Sequence, residues 1–295
     1  MPATLIDGRA MAAAIKAEVR RDAEELQRTR GITPGLAFIL VGDDPGSEVY
    51  VRSKGKTCDE LHFRSVTERR PATFPERDLL DLIASFNADP SIHGVLVQLP
   101  LPRHIDEQRV IEAIDYRKDV DGFHPVNVGR LSLGLTCFRP CTPAGILEML
   151  SRSGNDPGGK HVVVVGRSNI VGKPVAAMLV QKQPGANAAV TVVHTGAGDI
   201  TPYVRQGDIV VAAMGRPRAI TGAMLKPGAV VIDVGMNRIP DATAKTGTRL
   251  VGDVDFASAS AVASAITPVP GGVGLMTIAM LMKNTLLAAA GAVYG

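Results

Sequence analysis

The sequence predicts an α/β protein of two domains built on parallel β-sheets. Strand and helix patterns alternate through the first part of the chain, as in parallel α/β folds. A second alternating series starts at His161, where four valines lead into a glycine-containing turn and then a helix. The length of 295 residues suits one large domain or two of ordinary size.

Composition narrows the class of protein further. With 45% hydrophobic and 21% charged residues, the chain should form a globular domain with a substantial core. The net charge of +3 is small and no basic run is present, which argues against nucleic-acid binding. We expect neither a signal peptide at the start nor a membrane span near the end, where Lys283 and Asn284 interrupt an apolar stretch. The odd count of three cysteines suits a reducing cytosol. Neither the spacing of the cysteines nor the scattered histidines indicate a metal site.

The first half contains elements with clear periodicity. We predict helices over 7–29, 47–61, 74–87 and 105–114, and strands over 35–42, 64–70 and 93–102. Pro100 and Pro102 should end the last of these strands. Residues 115–134 have little periodicity and are rich in Asp, Gly, Pro and Asn, so a loop is expected there. A loop of this length inside a compact domain is usually functional.

The second half has the spacing of a Rossmann-type domain. A helix over 141–153 comes first, with Thr142 as its expected N-cap and Pro143 in its first turn. Strands are expected within 161–165, 188–194, 208–215 and 229–235, with a helix after Gly172. A Gly/Pro loop over 267–277 leads into the last helix, which we expect to return to the first domain. The Rossmann-type domain would then be an insertion.

Lys54 lies on the uncharged side of its helix. At about 100° per residue, one side carries Glu48, Arg52, Lys56 and Asp59, whereas the other carries Tyr50, Lys54, Cys58 and Leu61. In one interpretation the lysine stem covers apolar surface and the ammonium reaches water. In the other, burial lowers the pKa of the amine toward neutrality, as a catalytic lysine requires.

Two further polar residues of the first domain have a structural and a functional interpretation. Gln98 ends a buried strand and is either a satisfied structural glutamine or a neutral partner that orients Lys54. Asp121 lies in the irregular loop and is either a turn cap or an acceptor for an amino-pyrimidine ring. Cys141 is predicted to be a packed thiol, because no His or Asn partner is near in sequence.

The turn after the valine strand could hold phosphate. Gly166, Ser168 and Gly172 depart from the usual G-x-G-x-x-G spacing, but they follow a strand and precede a helix. An ordinary strand–helix turn is the alternative. The next strand ends in His194 and Thr195 without the acid typical of NAD sites, while Arg167 suits a 2′-phosphate. NADP is therefore favoured over NAD, unless Arg167 is simply exposed.

Over nearly its full length the chain resembles the bifunctional methylenetetrahydrofolate dehydrogenase/methenyltetrahydrofolate cyclohydrolase family. The matching segments, in order, are VGDDPGSEVYVRSK, GVLVQLPLP, KDVDGFHPVNVGRL, PCTPAGILEML, VVVVGRSNIVGKPVAAML, GDIVVAAMG, VIDVGMNR, GDVDF and TPVPGGVG. The resemblance implies NADP-dependent oxidation of 5,10-methylenetetrahydrofolate to 5,10-methenyltetrahydrofolate and hydrolysis to 10-formyltetrahydrofolate. It also implies an active site in the cleft between the domains.

The resemblance assigns roles to individual residues. Lys54 would be the general acid/base, Gln98 its partner, Asp121 the pterin anchor and Tyr50 a ring stacked on the folate. The folate site would be bordered by Pro270, Gly271 and Gly274, and the NADP site lined by Gly166, Arg167, Ser168, Thr195 and Met236. Residues 1–145 with 276–295 would form the folate-binding catalytic domain, and 146–275 the NADP-binding domain. A cytoplasmic homodimer without a metal is implied.

Three positions differ from the pattern common in that family. Leu275 stands where proline is common, His62 where glycine is common, and Ala197 where threonine or serine often occurs. Three rival functions stay open at this point: a dehydrogenase without useful cyclohydrolase activity, a shikimate-type dehydrogenase on a similar frame, and a folate-binding protein without turnover.

Overall fold

The computed structural model describes residues 3–244 and 247–294, which form two compact units. One unit comprises Ala14–Cys141 and the described residues from Ile278 on, and we call it the three-stranded unit after its sheet. The other comprises the described residues up to Ala13 with Thr142–Thr277, and we call it the six-stranded unit. Among the described residues, no helix is both long and apolar enough to cross a membrane.

The elements follow in chain order. The strands are β1 (Thr4–Leu5), β2 (Gly35–Val41), β3 (Arg64–Arg70), β4 (Gly94–Val97), β5 (His161–Val165), β6 (Ala189–Val193), β7 (Ile209–Ala212), β8 (Val230–Asp233), β9 (Asn237–Pro240), β10 (Thr248–Val251) and β11 (Ala265–Ile266). The helices are α1 (Gly8–Arg30), α2 (Pro45–Glu60), α3 (Glu76–Ala88), α4 (Glu107–Ala113), α5 (Pro125–Ser132), α6 (Cys141–Arg152), α7 (Gly172–Leu179), α8 (Thr201–Val204), α9 (Phe256–Ser260) and α10 (Val273–Ala289). Short 3₁₀ turns cover Thr195–Ala197 and Gly222–Met224.

The three-stranded unit is built on a parallel sheet in the order β3-β2-β4. Every residue of the central strand β2 is buried, as expected of a strand with neighbours on both edges and helices on its faces. Its core includes Ile39, Leu79, Ile83 and Val110 from the strand and from α3 and α4. This rigid frame holds α2, which carries Lys54, and the end of β4, which precedes Gln98.

The six-stranded unit has parallel strands in the order β1-β11-β8-β7-β5-β6. The valine-rich strands β5, β7 and β8 are fully buried apart from His161, as parallel strands with covered faces should be. The strands β9 and β10 form a separate antiparallel pair. The α/β class and the parallel sheets predicted from sequence are therefore confirmed, and the predicted regular elements are present with small shifts of their ends.

Four details of the sequence prediction need correction. The expected loop 115–134 contains α5, which forms because Pro125 occupies the first turn and the His124 ring accepts the Val126 N–H at 3.1 Å. Thr142 is not an N-cap, since α6 begins at Cys141; its hydroxyl is instead 2.8 Å from that of Thr277.

The remaining corrections concern strands. The strand β4 stops at Val97, so Gln98 follows it rather than ending it, although the Gln98 N–H still bonds Ile39 O at 2.9 Å. The chain start belongs to the six-stranded unit because β1 pairs with β11, with Thr4 opposite Ala265. Both strands are two residues long, too short for a periodic signal.

His62, which stands where glycine is common in the similar family, has a φ of 58°. This is the left-handed region, where a Cβ is disfavoured by about 1–2 kcal/mol. The residue follows the end of α2, and its N–H bonds Asp59 O at 3.2 Å, which closes the helix. The side chain is exposed, so the backbone conformation dominates the energetic cost of this position.

We expect His62→Gly to raise the free energy of unfolding by about 0.5–1 kcal/mol, because glycine adopts this φ without a steric penalty. Urea unfolding of the full chain measures the change. The matched variant His62→Ala keeps the Cβ and should gain nothing. If glycine and alanine had the same effect on stability, backbone strain would not be the cause.

Candidate active site

Lys54 is buried in the three-stranded unit, with only 7% of its surface exposed. It lies on α2, whose first turn is capped by the Asp44 carboxylate accepting the Ser47 N–H at 2.7 Å. Thr57 and Cys58 are buried on the same side of the helix, while Arg52 is exposed, as the sequence pattern indicated. The lysine therefore does not simply reach water.

The partner of Lys54 is Gln98. The Lys54 ammonium donates a hydrogen bond of 3.0 Å to the Gln98 side-chain oxygen. The Gln98 amide nitrogen in turn donates to the Leu99 carbonyl at 2.8 Å. This second bond fixes the orientation of the amide, so that its oxygen faces the lysine. A neutral acceptor satisfies the buried ammonium without adding a negative charge.

Burial and charge act against each other on the ionisable groups of this site. Desolvation lowers the pKa of Lys54 below its usual value, and the nearby Asp121 and Cys141 partly oppose this effect. Burial also raises the pKa of Asp121 to about 6, while the charge of Lys54 opposes that rise. Both groups are therefore shifted toward neutral pH, the range in which an acid/base catalyst works best.

Cys141 lies beside Asp121. Its thiol is 3.8 Å from an Asp121 carboxylate oxygen and 3.4 Å from the Val120 carbonyl oxygen. Burial raises the pKa of the thiol, so it stays protonated and acts as a weak donor. This agrees with the prediction that Cys141 is a packed thiol and not a nucleophile. Tyr50 lies one helical turn before Lys54 and is partly buried.

Asp119 organises the turn that follows Asp121, a role that the sequence did not reveal. Its buried carboxylate accepts N–H bonds from Gly122, Phe123 and His124 at 2.8–3.2 Å. The side chain of Asn127 adds a fourth bond of 2.8 Å. Because these bonds all converge on one carboxylate, the loop beyond Asp121 has a defined conformation.

The turn between β5 and α7 in the six-stranded unit is tightly packed. Gly166 has a φ of 129°, and a Cβ there would lie 2.0 Å from the Ala213 carbonyl oxygen. A Cβ on Gly172 would lie 2.3 Å from the Gly166 carbonyl oxygen. The Ser168 hydroxyl accepts the N–H groups of Val171 and Gly172 at 3.1 and 3.3 Å. The turn therefore packs tightly against neighbouring backbone, as the strand–helix turn of a dinucleotide-binding fold does.

The other predicted cofactor residues belong to the same unit. Arg167 and Thr195 are exposed, and they follow β5 and β6 at the carboxyl edge of the sheet. Met236 follows β8 and has 44% of its surface exposed. A Cβ on Gly274 would lie 3.2 Å from the Met236 sulfur, so the structure brings these two positions together.

The loop before α10 also lies in the six-stranded unit. Pro270 is exposed, and Gly271 has a φ of 109° that favours glycine. A Cβ on Gly8 would lie 2.2 Å from the Gly272 carbonyl oxygen, so α1 starts hard against this loop. Thus Pro270, Gly271 and Gly274 belong to one unit, whereas Tyr50 and Asp121 belong to the other.

Two buried carboxylates, Asp233 and Asp253, support the carboxyl edge of the larger sheet. One Asp253 oxygen accepts the N–H groups of Met214 and Gly215 at 2.6 and 2.8 Å, and the other accepts the Asn237 amide at 2.8 Å. Asp233 accepts the Asp253 N–H at 2.9 Å. Burial raises the pKa of Asp233 to about 6. Sequence reasoning missed both roles, although Asp233 ends β8 and Asp253 lies two residues after β10.

The chain matches family models over most of its length. Residues 6–121 match the catalytic domain of tetrahydrofolate dehydrogenase/cyclohydrolase, and residues 140–293 match the NAD(P)-binding domain of the same family. It is 57% identical over 284 residues to the Bifunctional protein FolD of Chlorobium phaeovibrioides, and the match covers 96% of both chains.

Solved structures of similar sequence have the same fold. The bifunctional FolD enzyme of Campylobacter jejuni is 46% identical, with a TM-score of 0.92 over 98% of this chain and 99% of that one. FolD of Trypanosoma brucei, complexed with NADP cofactor and inhibitor, is 41% identical. Its TM-score is 0.94 and the match covers 100% of both chains.

The pH dependence of stability should reflect the raised pKa of Asp121. A carboxyl group that titrates at about 6 when folded and at 3.8 in its ordinary state binds more protons in the folded protein. Its contribution to stability therefore falls as pH rises through that window. The free energy of unfolding of the wild type should fall between about pH 5 and about pH 7. We expect this fall to be roughly 1 kcal/mol smaller in Asp121→Asn.

Urea unfolding at several pH values measures this difference. The raised carboxyl of Asp233 is present in both proteins, so the difference reports Asp121 together with its charge interaction with Lys54. The control variant Asp81→Asn removes one negative charge from the exposed surface of α3 and leaves the buried site intact. Parallel curves for wild type and Asp121→Asn would contradict a raised pKa at this position.

Proposed function

Because the chain belongs to the tetrahydrofolate dehydrogenase/cyclohydrolase family, we propose that it catalyses two consecutive reactions of folate one-carbon metabolism. It oxidises 5,10-methylenetetrahydrofolate to 5,10-methenyltetrahydrofolate with NADP⁺ and hydrolyses the product to 10-formyltetrahydrofolate. The observation that carries this proposal is the buried pair of Lys54 and Gln98, 3.0 Å apart. It provides an amine with a lowered pKa and a neutral partner.

The residues of the six-stranded unit fit NADP. The turn at Gly166 and Gly172 packs closely against neighbouring backbone, and α7 starts there, so its first N–H groups can donate to a phosphate. The exposed guanidinium of Arg167 suits the 2′-phosphate, with Ser168 ordering the turn through its hydroxyl. Thr195 and Met236 would line the same site. When bound, the nicotinamide supplies the hydride acceptor.

The oxidation places few chemical demands on the side chains. The methylene carbon to be oxidised lies between two nitrogens, whose lone pairs stabilise the cation as the hydride leaves. The protein therefore acts mainly by holding the substrate in a reactive orientation. We assign this to Asp121, which accepts hydrogen bonds from the amino-pyrimidine ring, and to Tyr50, which stacks on the folate. Pro270, Gly271 and Gly274 are proposed to border the substrate.

The hydrolysis needs proton transfer, and this is the role we assign to Lys54. Water attacks the amidinium carbon of the methenyl group, and a proton must then move as the ring opens. A lysine whose pKa is lowered by burial gives up its proton more readily than an exposed lysine, and it can then take the proton back. Gln98 keeps the amine in place without the rise in pKa that a bonded carboxylate would cause.

The functional division of the chain follows this assignment. We propose that residues 1–145 with 276–295 serve folate binding and catalysis, and that residues 146–275 serve NADP binding. The structural units differ from this division at the chain start, since the described residues up to Ala13 belong to the six-stranded unit. A cytoplasmic homodimer that supplies one-carbon units for purine, methionine and histidine biosynthesis completes the proposal, without a metal.

The rival functions differ in their products. A dehydrogenase without useful cyclohydrolase activity would accumulate methenyltetrahydrofolate, but it would have no need of the buried Lys54 and Gln98 pair. A shikimate-type dehydrogenase would oxidise shikimate instead. A folate-binding protein without enzymatic activity would bind the substrate and release it unchanged.

A turnover assay on the full chain tests the proposal. Purified protein is given 5,10-methylenetetrahydrofolate with NADP⁺ or NAD⁺, while the reduced nucleotide, methenyl and 10-formyl products are followed together. We expect reduced nucleotide and 10-formyltetrahydrofolate to appear in step, faster with NADP⁺, while methenyltetrahydrofolate stays low. Accumulation of methenyltetrahydrofolate would remove the second activity, and absence of both products would remove the proposed function.

The variant Lys54→Met should lower kcat for methenyltetrahydrofolate hydrolysis by roughly 10²–10⁴-fold, the usual contribution of a general acid/base. Its binding of NADP⁺ should persist, since the cofactor residues lie in the six-stranded unit. Lys56→Met is the matched control: Lys56 lies on the same helix but is exposed, 3.9 Å from Glu60. Hydrolysis at the wild-type rate by Lys54→Met would exclude this role for the lysine.

A further inference from the structure

Asn284 is a buried amide in the apolar helix α10. It is 4% exposed, and its neighbours Leu281, Met282 and Leu286 are buried hydrophobic residues. Burying an amide side chain costs a few kcal/mol unless its hydrogen bonds are satisfied. The structure shows that the partners of this side chain lie outside α10.

The Asn284 amide nitrogen bonds two separate backbone segments. It donates to the Val120 carbonyl oxygen at 2.8 Å and to the Arg139 carbonyl oxygen at 2.9 Å. It also lies 3.7 Å from the Cys141 sulfur. All of these groups belong to the three-stranded unit. One side chain therefore joins the loop that follows α4, at Val120, to the segment just before α6, at Arg139.

These two segments carry the groups that influence Lys54. Asp121 directly follows Val120, and the Cys141 thiol is 3.8 Å from its carboxylate. The charge of Asp121 acts on the pKa of Lys54. The turn beyond Asp121 is held by the Asp119 carboxylate, which accepts the N–H groups of Gly122 and His124. A change at Asn284 should therefore move Asp121 relative to Lys54 while the turn keeps its conformation.

We propose that Asn284 is a positioning residue for the folate site: it holds in place the backbone segments that carry Asp121 and Cys141 near Lys54. The inference rests on the proposed function, since it concerns how the same site binds and converts folate. Asn284 itself does not touch the reacting atoms in this account. It acts by joining Val120 to Arg139, and a displacement of about 1 Å at a catalytic group can lower a rate by as much as 10²-fold.

Steady-state kinetics of the full-length variant Asn284→Leu test the inference. Leucine has the same branched arrangement of heavy atoms but no donor, so both carbonyl oxygens lose their bond to the amide. We expect the KM for the folate substrate to rise about tenfold and kcat for hydrolysis to fall about tenfold, while the KM for NADP⁺ stays within about twofold. A milder variant, Asn284→Ser, keeps one donor on a shorter side chain and should show smaller changes in the same direction. It keeps the inference testable if the leucine variant does not fold.

The matched control is Thr285→Val in the same helix. Thr285 is fully buried and loses a hydrogen bond too, but its hydroxyl donates to Leu281 O within α10 at 2.9 Å. We expect a similar loss of thermal stability in both variants and wild-type kinetics in the control alone. Equal kinetic losses in Thr285→Val and Asn284→Leu, or wild-type kinetics in both, would overturn the inference. Failure of the wild-type enzyme to turn over folate would instead overturn the proposed function.

Discussion

A buried ammonium group needs a hydrogen-bond acceptor, and Lys54 finds it in the side-chain oxygen of Gln98, 3.0 Å away. A carboxylate at this distance would stabilise the charged amine and raise its pKa. The amide satisfies the donor but leaves desolvation as the dominant effect, so the pKa falls. The surrounding structure maintains this balance: α2 buries the lysine stem, and the Leu99 carbonyl fixes the amide that receives it.

In the six-stranded unit, the main constraint is that backbone segments lie close together at one edge of the sheet. Gly166 allows the approach by having no Cβ near Ala213. Asp253 holds the adjacent Met214 and Gly215 N–H groups from the other side. Ser168 stands where the usual dinucleotide motif has its second glycine, and its hydroxyl accepts two N–H groups of the turn. The departure from the motif therefore stabilises the turn from within.

Sequence periodicity was sufficient for the elements whose burial repeats along the chain. It placed Lys54 on the uncharged side of α2 but left two interpretations open for Lys54 and for Gln98, and their hydrogen bond of 3.0 Å favours the buried pair. It missed α5, which depends on the His124 cap and on the bonds that converge on Asp119. Such contacts involve irregular backbone and have no period.

Long-range contacts were also beyond the reach of the sequence pattern. Lys283 and Asn284 were evident as an interruption of an apolar stretch, but the bond from Asn284 to Val120 spans 164 positions. The residue-level roles of the folate and NADP sites stay predictions, because they depend on ligands whose contacts the pattern does not specify. Family membership, in contrast, followed from nine motifs in order and is confirmed by matches along the chain.

The pairing of β1 with β11 has a consequence for synthesis on the ribosome. Thr4 and Leu5 leave the ribosome long before their partners Ala265 and Ile266 are made. Until then the sheet of the six-stranded unit lacks β11 between β1 and β8, and the three-stranded unit lacks α10, which carries Asn284. Contacts of such sequence separation form slowly. A nascent chain released before Ile266 would therefore leave both units incomplete, and its exposed apolar surfaces would favour aggregation.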